Sequence, residues 1–136
     1  MLERAALIAG IALAGCSHPR VVTSDASIEV YDPIVFATGS DQLPANASKM
    51  IQSIADTLTG NPSITKVAVE AHTAPADGAT PADRQALATR RSRAVLAQIV
   101  ARGVAPYRLQ VGTADDGTDG IALVVLERKP QDDAAH

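Results

Sequence analysis

The sequence predicts an α+β fold of order β-α-β-α-β-β, a mixed sheet with two helices packed on one face. Three observations lead there. Short apolar or alternating runs recur near residues 28–36, 64–70, 107–112 and 121–127, as strands require. Two longer stretches, 44–58 and 80–102, suit helices: apolar residues recur at helical spacing in the first, and start and stop signals frame the second. The helices fall between strands one and two and between two and three, which favours a layered sandwich over a bundle or barrel.

Each element has a local reason. Ile28-Glu29-Val30-Tyr31 alternates and Ile34-Val35-Phe36 is continuously apolar, a first strand interrupted at Asp32-Pro33, where proline implies an edge or bulge. Residues 37–43 carry Gly39-Ser40-Asp41 and read as a loop. Pro44 suits the first turn of a helix whose inner face is Met50, Ile51, Ile54, Ala55 and Leu58, with Gly60 and Pro62 as the stop. The second strand runs from Ile64 to Glu70 and ends near His72, before a loop rich in Ala, Pro, Asp and Gly. Thr80-Pro81-Ala82-Asp83 has the order of a helix start: an N-cap hydroxyl, proline at the first position and an acid facing the positive end of the dipole. That helix reaches about Arg102 before Gly103 ends it. Residues 107–112 form a third strand, 114–120 an acidic turn and 121–127 a strongly apolar last strand.

The core must be aliphatic. Of 136 residues only Phe36, Tyr31 and Tyr107 are aromatic, while apolar types make up 46%. A length of this order accommodates one domain after a leader. The net charge of −3 provides no general attraction to a polyanion, so nucleic acid is excluded as a partner class.

Residues 1–15 have the form of a secretory signal: Glu3 and Arg4, an apolar run of about ten residues, then small residues. The run is too short for a membrane-spanning helix. Leu13-Ala14-Gly15-Cys16 resembles the lipobox of bacterial lipoproteins, which implies cleavage before a diacylated Cys16. Cys16 is the only cysteine, so no intrachain disulfide competes for it. Ser17 follows where inner-membrane retention signals have aspartate, and by the same resemblance the lipid anchor sits in the outer membrane with the domain facing the periplasm. Residues 16–27 are expected to be the lipidated cysteine and a tether, of which residues 17–27 reach roughly 35–40 Å if extended. Residues 28–128 are the domain and 129–136 a polar tail.

Several segments in order resemble the OmpA-like domain of outer-membrane proteins and peptidoglycan-associated lipoproteins. They are Ile34-Val35-Phe36 with Gly39-Ser40 and Leu43-Pro44, Ile54-Ala55-Asp56-Thr57-Leu58, Val67-Ala68-Val69-Glu70-Ala71-His72-Thr73, and Leu87 to Val95. The resemblance implies non-covalent binding of the peptidoglycan peptide stem, linking membrane to wall. It places the motif arginine at Arg91, partnered in the family by an aspartate directly after His-Thr; together they hold the two charged ends of diaminopimelate. A guanidinium pairs with carboxylate in a planar fork and an opposed carboxylate takes the ammonium. Here Ala74 follows His72-Thr73, Arg84 replaces an asparagine, Ala88 replaces the motif serine, and Gly117-Thr118-Asp119-Gly120 stands where the family has Asn-Arg-Arg-Val.

The candidate stem-binding residues are therefore Arg91, Asp77, His72 and Thr73. Asp77 either swings toward Arg91 in place of the absent aspartate or is an ordinary loop acid. Arg91 either grips a ligand or lays its stem on the core with its head in water. A ligand site would hold a carboxylate within about 5–8 Å of the guanidinium across an open pocket. Arg84, Arg90, Arg93 and Arg102 read as surface charge, and Asp115, Asp116 and Asp119 as a solvated turn without calcium-loop spacing. No metal ligand set, cofactor motif or nucleophile arrangement is evident, so no cofactor is expected and an enzyme is not. The alternative to wall binding is an interaction or structural module of an envelope protein complex that kept the fold without the ligand.

Overall fold

Strand β3 (Ile64–His72) organises the structure, because its odd-numbered positions are apolar from Val67 to Ala71 and its flanks pair on both sides. The structure, a computed structural model, describes residues 21–23, 27–30 and 34–129. The other elements are β1 (Val21–Thr23), β2 (Ser27–Val30), α1 (Ala47–Thr59), α2 (Pro81–Ala101), β4 (Leu109–Ala114) and β5 (Gly120–Arg128), with short 3-10 turns at Pro75–Asp77 and Pro106–Arg108. The sheet order is β1-β2-β5-β3-β4. β3 and β4, joined through α2, are parallel, and every other pairing is antiparallel.

The expected α+β class with a mixed sheet is what forms, with two differences in the elements. Residues 34–36 do not extend the first strand; Ile34 and Phe36 are buried as an irregular segment that passes close to Gly120, and Val35 points outward. A strand, β1, lies inside the stretch expected to be tether, where it pairs Val21 with Val30. Cys16, the leader and residues 130–136 of the expected tail lie outside the described residues.

Register explains the core. Val67 stands opposite Leu109 and Val125, Val69 opposite Val111 and Leu123, and Ala71 opposite Thr113 and Ile121. Paired residues share a face, so these rows form one apolar surface against the helices. Met50, Ile51, Ile54, Ala55 and Leu58 of α1 and Leu87, Val95 and Ile99 of α2 are buried. α1 starts at Ala47 after Asn46 rather than at Pro44, whose carbonyl instead accepts the Ala47 N–H at 3.0 Å in the preceding turn. The start of α2 is as expected: Thr80 Oγ1 accepts the Asp83 N–H at 3.1 Å. Ser92 is fully buried on α2 and donates its hydroxyl to the Val69 carbonyl at 2.5 Å, which binds helix to central strand. Among the described residues no helix is long and apolar enough to cross a membrane.

Arg108 closes the far end of the fold. Its guanidinium donates to the carbonyls of Leu58 (2.9 Å), Asn61 (3.1 Å) and Ile64 (2.7 Å), so one cation satisfies the end of α1 and the entry to β3. Charge-assisted bonds of this kind contribute more than neutral ones, and the cation complements the negative helix terminus. Arg108→Ala is expected to lower the unfolding free energy by about 2 kcal/mol, measured by urea denaturation, while leaving ligand binding unchanged.

Candidate functional site

Arg91 lies on α2 with a relative exposure of 1%, on the same helical stripe as Leu87 and Val95. A buried guanidinium needs acceptors for five N–H groups. Nε donates to the Ser40 carbonyl at 2.7 Å and Nη2 to the Ala37 carbonyl at 3.0 Å. Nη2 also donates to Asp77 Oδ1 at 2.9 Å and Nη1 to Asp77 Oδ2 at 3.2 Å, a two-pronged pair. The Phe36 ring lies beneath, its centroid 5.0 Å from Cζ, so the sole phenylalanine closes the site by a cation–π contact.

Two loops supply the partners. Residues 37–40 turn through Gly39, whose φ of +70° is a conformation that side-chain-bearing residues seldom adopt, and its N–H donates to Asp77 Oδ1 at 2.9 Å. Asp77 ends the 3-10 turn that Pro75 opens, and its Oδ2 accepts the Ala74 N–H at 2.9 Å. Gly78 follows where a Cβ would meet Asp83 Cβ at 3.0 Å and the Arg84 backbone nitrogen at 3.1 Å, so this turn packs against the start of α2 only without a side chain. Each Asp77 oxygen thus accepts one backbone and one Arg91 N–H. Burial acts to raise the Asp77 pKa, but the bonds with Arg91, Ala74, Gly39 and Asp119 outweigh it and hold the carboxyl well below its usual range.

Of the four residues expected at the site, Arg91 and Asp77 meet directly. No open pocket separates them. Thr73 is buried, and its Oγ1 has no hydrogen-bond partner among the described residues. His72 is not among the groups that touch Arg91. Strand alternation directs it to the face of β3 that carries Glu70, where Nε2 lies 2.9 Å from Glu70 Oε1 and Nδ1 lies 2.9 Å from Asp116 Oδ2.

The acidic turn before β5 is more engaged than a solvated loop. Arg84, expected on the surface, holds Asp115 at 3.0 Å and the Gly78 carbonyl at 3.0 Å. Asp116 accepts from the Thr118 hydroxyl at 2.7 Å and from its backbone N–H, and with His72 these bonds bring its pKa down to about 2. Asp119 reaches Arg91, with Oδ1 3.7 Å from Nη1. Arg90 pairs with Asp41 while remaining exposed, as its surface reading anticipates. Arg102 bonds Gln98 and Ser48 rather than standing free. The carbonyls of Ala37 and Ser40, the Gly39 amide and Asp119 are the site groups that sequence reasoning missed. Gly39-Ser40 was a usable signal, since it belongs to the segments that carry the family resemblance.

The OmpA family matches residues 35–122, which include every group that contacts Arg91. The chain belongs to the OmpA family. Solved structures share its fold. An outer-membrane protein from Borrelia burgdorferi is 18% identical with a TM-score of 0.63, over 79% of this chain and 96% of that one. The periplasmic domain of Helicobacter pylori MotB is 15% identical with a TM-score of 0.63, over 85% and 82%. The peptidoglycan-associated lipoprotein from Burkholderia pseudomallei is 18% identical with a TM-score of 0.57, over 68% and 86%. Comparison with curated proteins finds no match.

Because Arg91 and Asp77 neutralise each other in a buried site, removing either strands the other. Arg91→Ala and Asp77→Ala are each expected to cost about 3–5 kcal/mol, and the double variant much less than their sum, as a double-mutant cycle in urea would measure. The acid response follows from the lowered Asp77 pKa. Its stabilisation is complete above the ordinary value of 3.8 and disappears as pH falls through the lower folded-state value. Stability curves of Asp77→Asn should therefore be flatter than wild type below pH about 4.

Proposed function

We propose that this chain is an outer-membrane-anchored lipoprotein whose OmpA-family domain binds peptidoglycan non-covalently through the peptide stem. The observation that carries this reading is the bidentate Asp77–Arg91 pair. The family resemblance calls for a carboxylate and a guanidinium side by side, and Asp77 stands beside Arg91 although Ala74 occupies the position of the family aspartate. The lipobox at Leu13-Ala14-Gly15-Cys16 supports the anchor, and the fold shared with a peptidoglycan-associated lipoprotein supports the wall as partner.

Strand β1 bears on how the two ends are joined. With Val21 already paired in the sheet, residues 17–20 are the span between a lipidated Cys16 and the domain. At about 3.3–3.6 Å per residue that span is at most roughly 14 Å, against the 35–40 Å expected of a longer tether. The domain then lies against its membrane and meets the wall where the two approach closely.

The alternative, an envelope interaction module without wall binding, is favoured by one observation: Arg91 is 1% exposed and four of its five N–H groups are already bonded within the protein. In that reading the pair is purely structural. Co-sedimentation of lipid-free residues 17–136 with isolated sacculi separates the two. Wall binding predicts that the protein pellets with sacculi and is competed off by soluble stem peptide. A protein that stays in the supernatant at all concentrations leaves the interaction module standing.

A further inference from the structure

The register of the sheet sets where the chain enters the domain. Ser27 pairs with Val124 and Ile28 with Leu123, so β2 comes level with Ile121 by the time it reaches Val30. Val30 pairs with Val21, while Ile121 stands opposite Ala71 and Ala71 opposite Thr113. The first residue of β1 therefore lies at the end of the sheet where β3 leads into the Pro75–Asp77 turn and β5 begins at Gly120. That end holds the Arg91–Asp77 pair. At the other end Ile64 faces Arg128, and Arg108, next to Tyr107, bonds the Ile64 carbonyl. From Ile121 to Arg128 along β5 the two ends are roughly 24 Å apart at about 3.4 Å per residue. A chain entering directly at Ser27 would join midway along β5; the antiparallel addition of β1 carries the entry point back to the Arg91 end.

Length then decides which end can face a membrane. Residues 17–20 separate Cys16 from Val21 and reach at most roughly 14 Å. With Cys16 lipidated, the Arg91 end is held within that reach of the bilayer. Turning the Ile64–Arg128 end down instead would lift Val21 by roughly 24 Å, more than the span allows while β1 stays paired. The surface at the Arg91 end suits a headgroup layer. Val35, Ala37, Pro75 and Ala76 are exposed there, and the charges beside them are matched within the protein: Arg90 to Asp41, Arg91 to Asp77, Arg84 to Asp115 and His72 to Asp116. Small apolar groups and internally paired charges can approach zwitterionic headgroups without stranding a charge. With Asp119 added, aspartates exceed arginines in this set, so anionic lipid is not what the surface attracts.

We propose that the domain rests with its Arg91 end against the zwitterionic headgroups of the membrane that anchors it, and turns the end carrying Tyr107 and Arg108 away from that membrane. The inference rests on the lipid-anchor part of the proposed function and not on wall binding. β1 sets the orientation, because anchor and Arg91 share an end for as long as Val21 is paired with Val30. Any ligand of Arg91 then has to enter through the gap between domain and bilayer.

The test uses the lipidated mature protein in phosphatidylcholine vesicles that contain a lipid with a nitroxide quencher on its headgroup. The Cys16 thiol is taken up by lipid, so a single introduced cysteine can carry a fluorophore. Ala76→Cys places it at the Arg91 end and Tyr107→Cys at the other, both at exposed positions. The Ala76→Cys label is expected to be quenched several-fold more strongly than the Tyr107→Cys label. Inserting about 12 Gly and Ser residues between Arg20 and Val21 lets the span exceed the distance between the ends and is expected to remove most of that difference. Equal quenching of the two labels, or stronger quenching at Tyr107→Cys, overturns the orientation. A difference undiminished by the insertion overturns the role given to β1 and the short span. Failure of the lipidated protein to enter vesicles overturns the anchor reading, and this inference with it, whereas sacculi play no part and a failure of wall binding leaves the inference standing. Urea unfolding as in wild type shows that the labelled variants are folded, and Thr38→Cys with Pro62→Cys repeats the comparison at a second exposed pair.

Discussion

A guanidinium removed from water has to be given acceptors for nearly all of its N–H groups, and meeting that demand at Arg91 shapes this end of the molecule. The loop at 37–40 turns two carbonyls toward it, the 3-10 turn at Pro75–Asp77 brings a carboxylate, and Phe36 covers one face. Desolvating two charges costs several kcal/mol each in real proteins, so such a pair survives only where its other polar atoms are also bonded. Here they are, because Asp77 simultaneously accepts the amides of Gly39 and Ala74. The same bonds fasten two loops to one helix.

Beside the pair stands Asp119, partly exposed and 3.7 Å from Arg91 Nη1, on a turn held at Asp115 by Arg84 and at Asp116 by His72. The pairing of β1 with β2 acts at a different scale, by bringing residues 21–23 into the sheet of the domain.

The expected elements are present from α1 onward because local physics decides them. Alternation along Ile64–His72 marks a strand whichever neighbours it finds, and Thr80-Pro81-Ala82-Asp83 begins a helix through bonds made within four residues. Where local signals were weak or ambiguous, tertiary context overrode them. Ile34, Val35 and Phe36 have strand composition, yet Ile34 and Phe36 are recruited into the core from an irregular path beside Gly120 and Arg91. Val21-Val22-Thr23 is too short to announce itself as a strand and becomes one by pairing with β2.

The sequence by itself determined the fold class, the helix and strand order from α1 to β5, the family through the motif around Arg91, and the expectation of a lipid anchor at Cys16. All of these depend on residues close together in the chain. Only the tertiary structure decided how Arg91 is used. Its partners come from positions 37, 40, 77 and 119, brought together by two loops and the turn before the last strand, and no spacing along the chain encodes their distances. Asp77 and Asp119 are both aspartates in glycine-containing loops. One is buried, with two backbone amides and Arg91 on its oxygens, while the other is partly exposed 3.7 Å from the same guanidinium, a difference that only the folded chain creates.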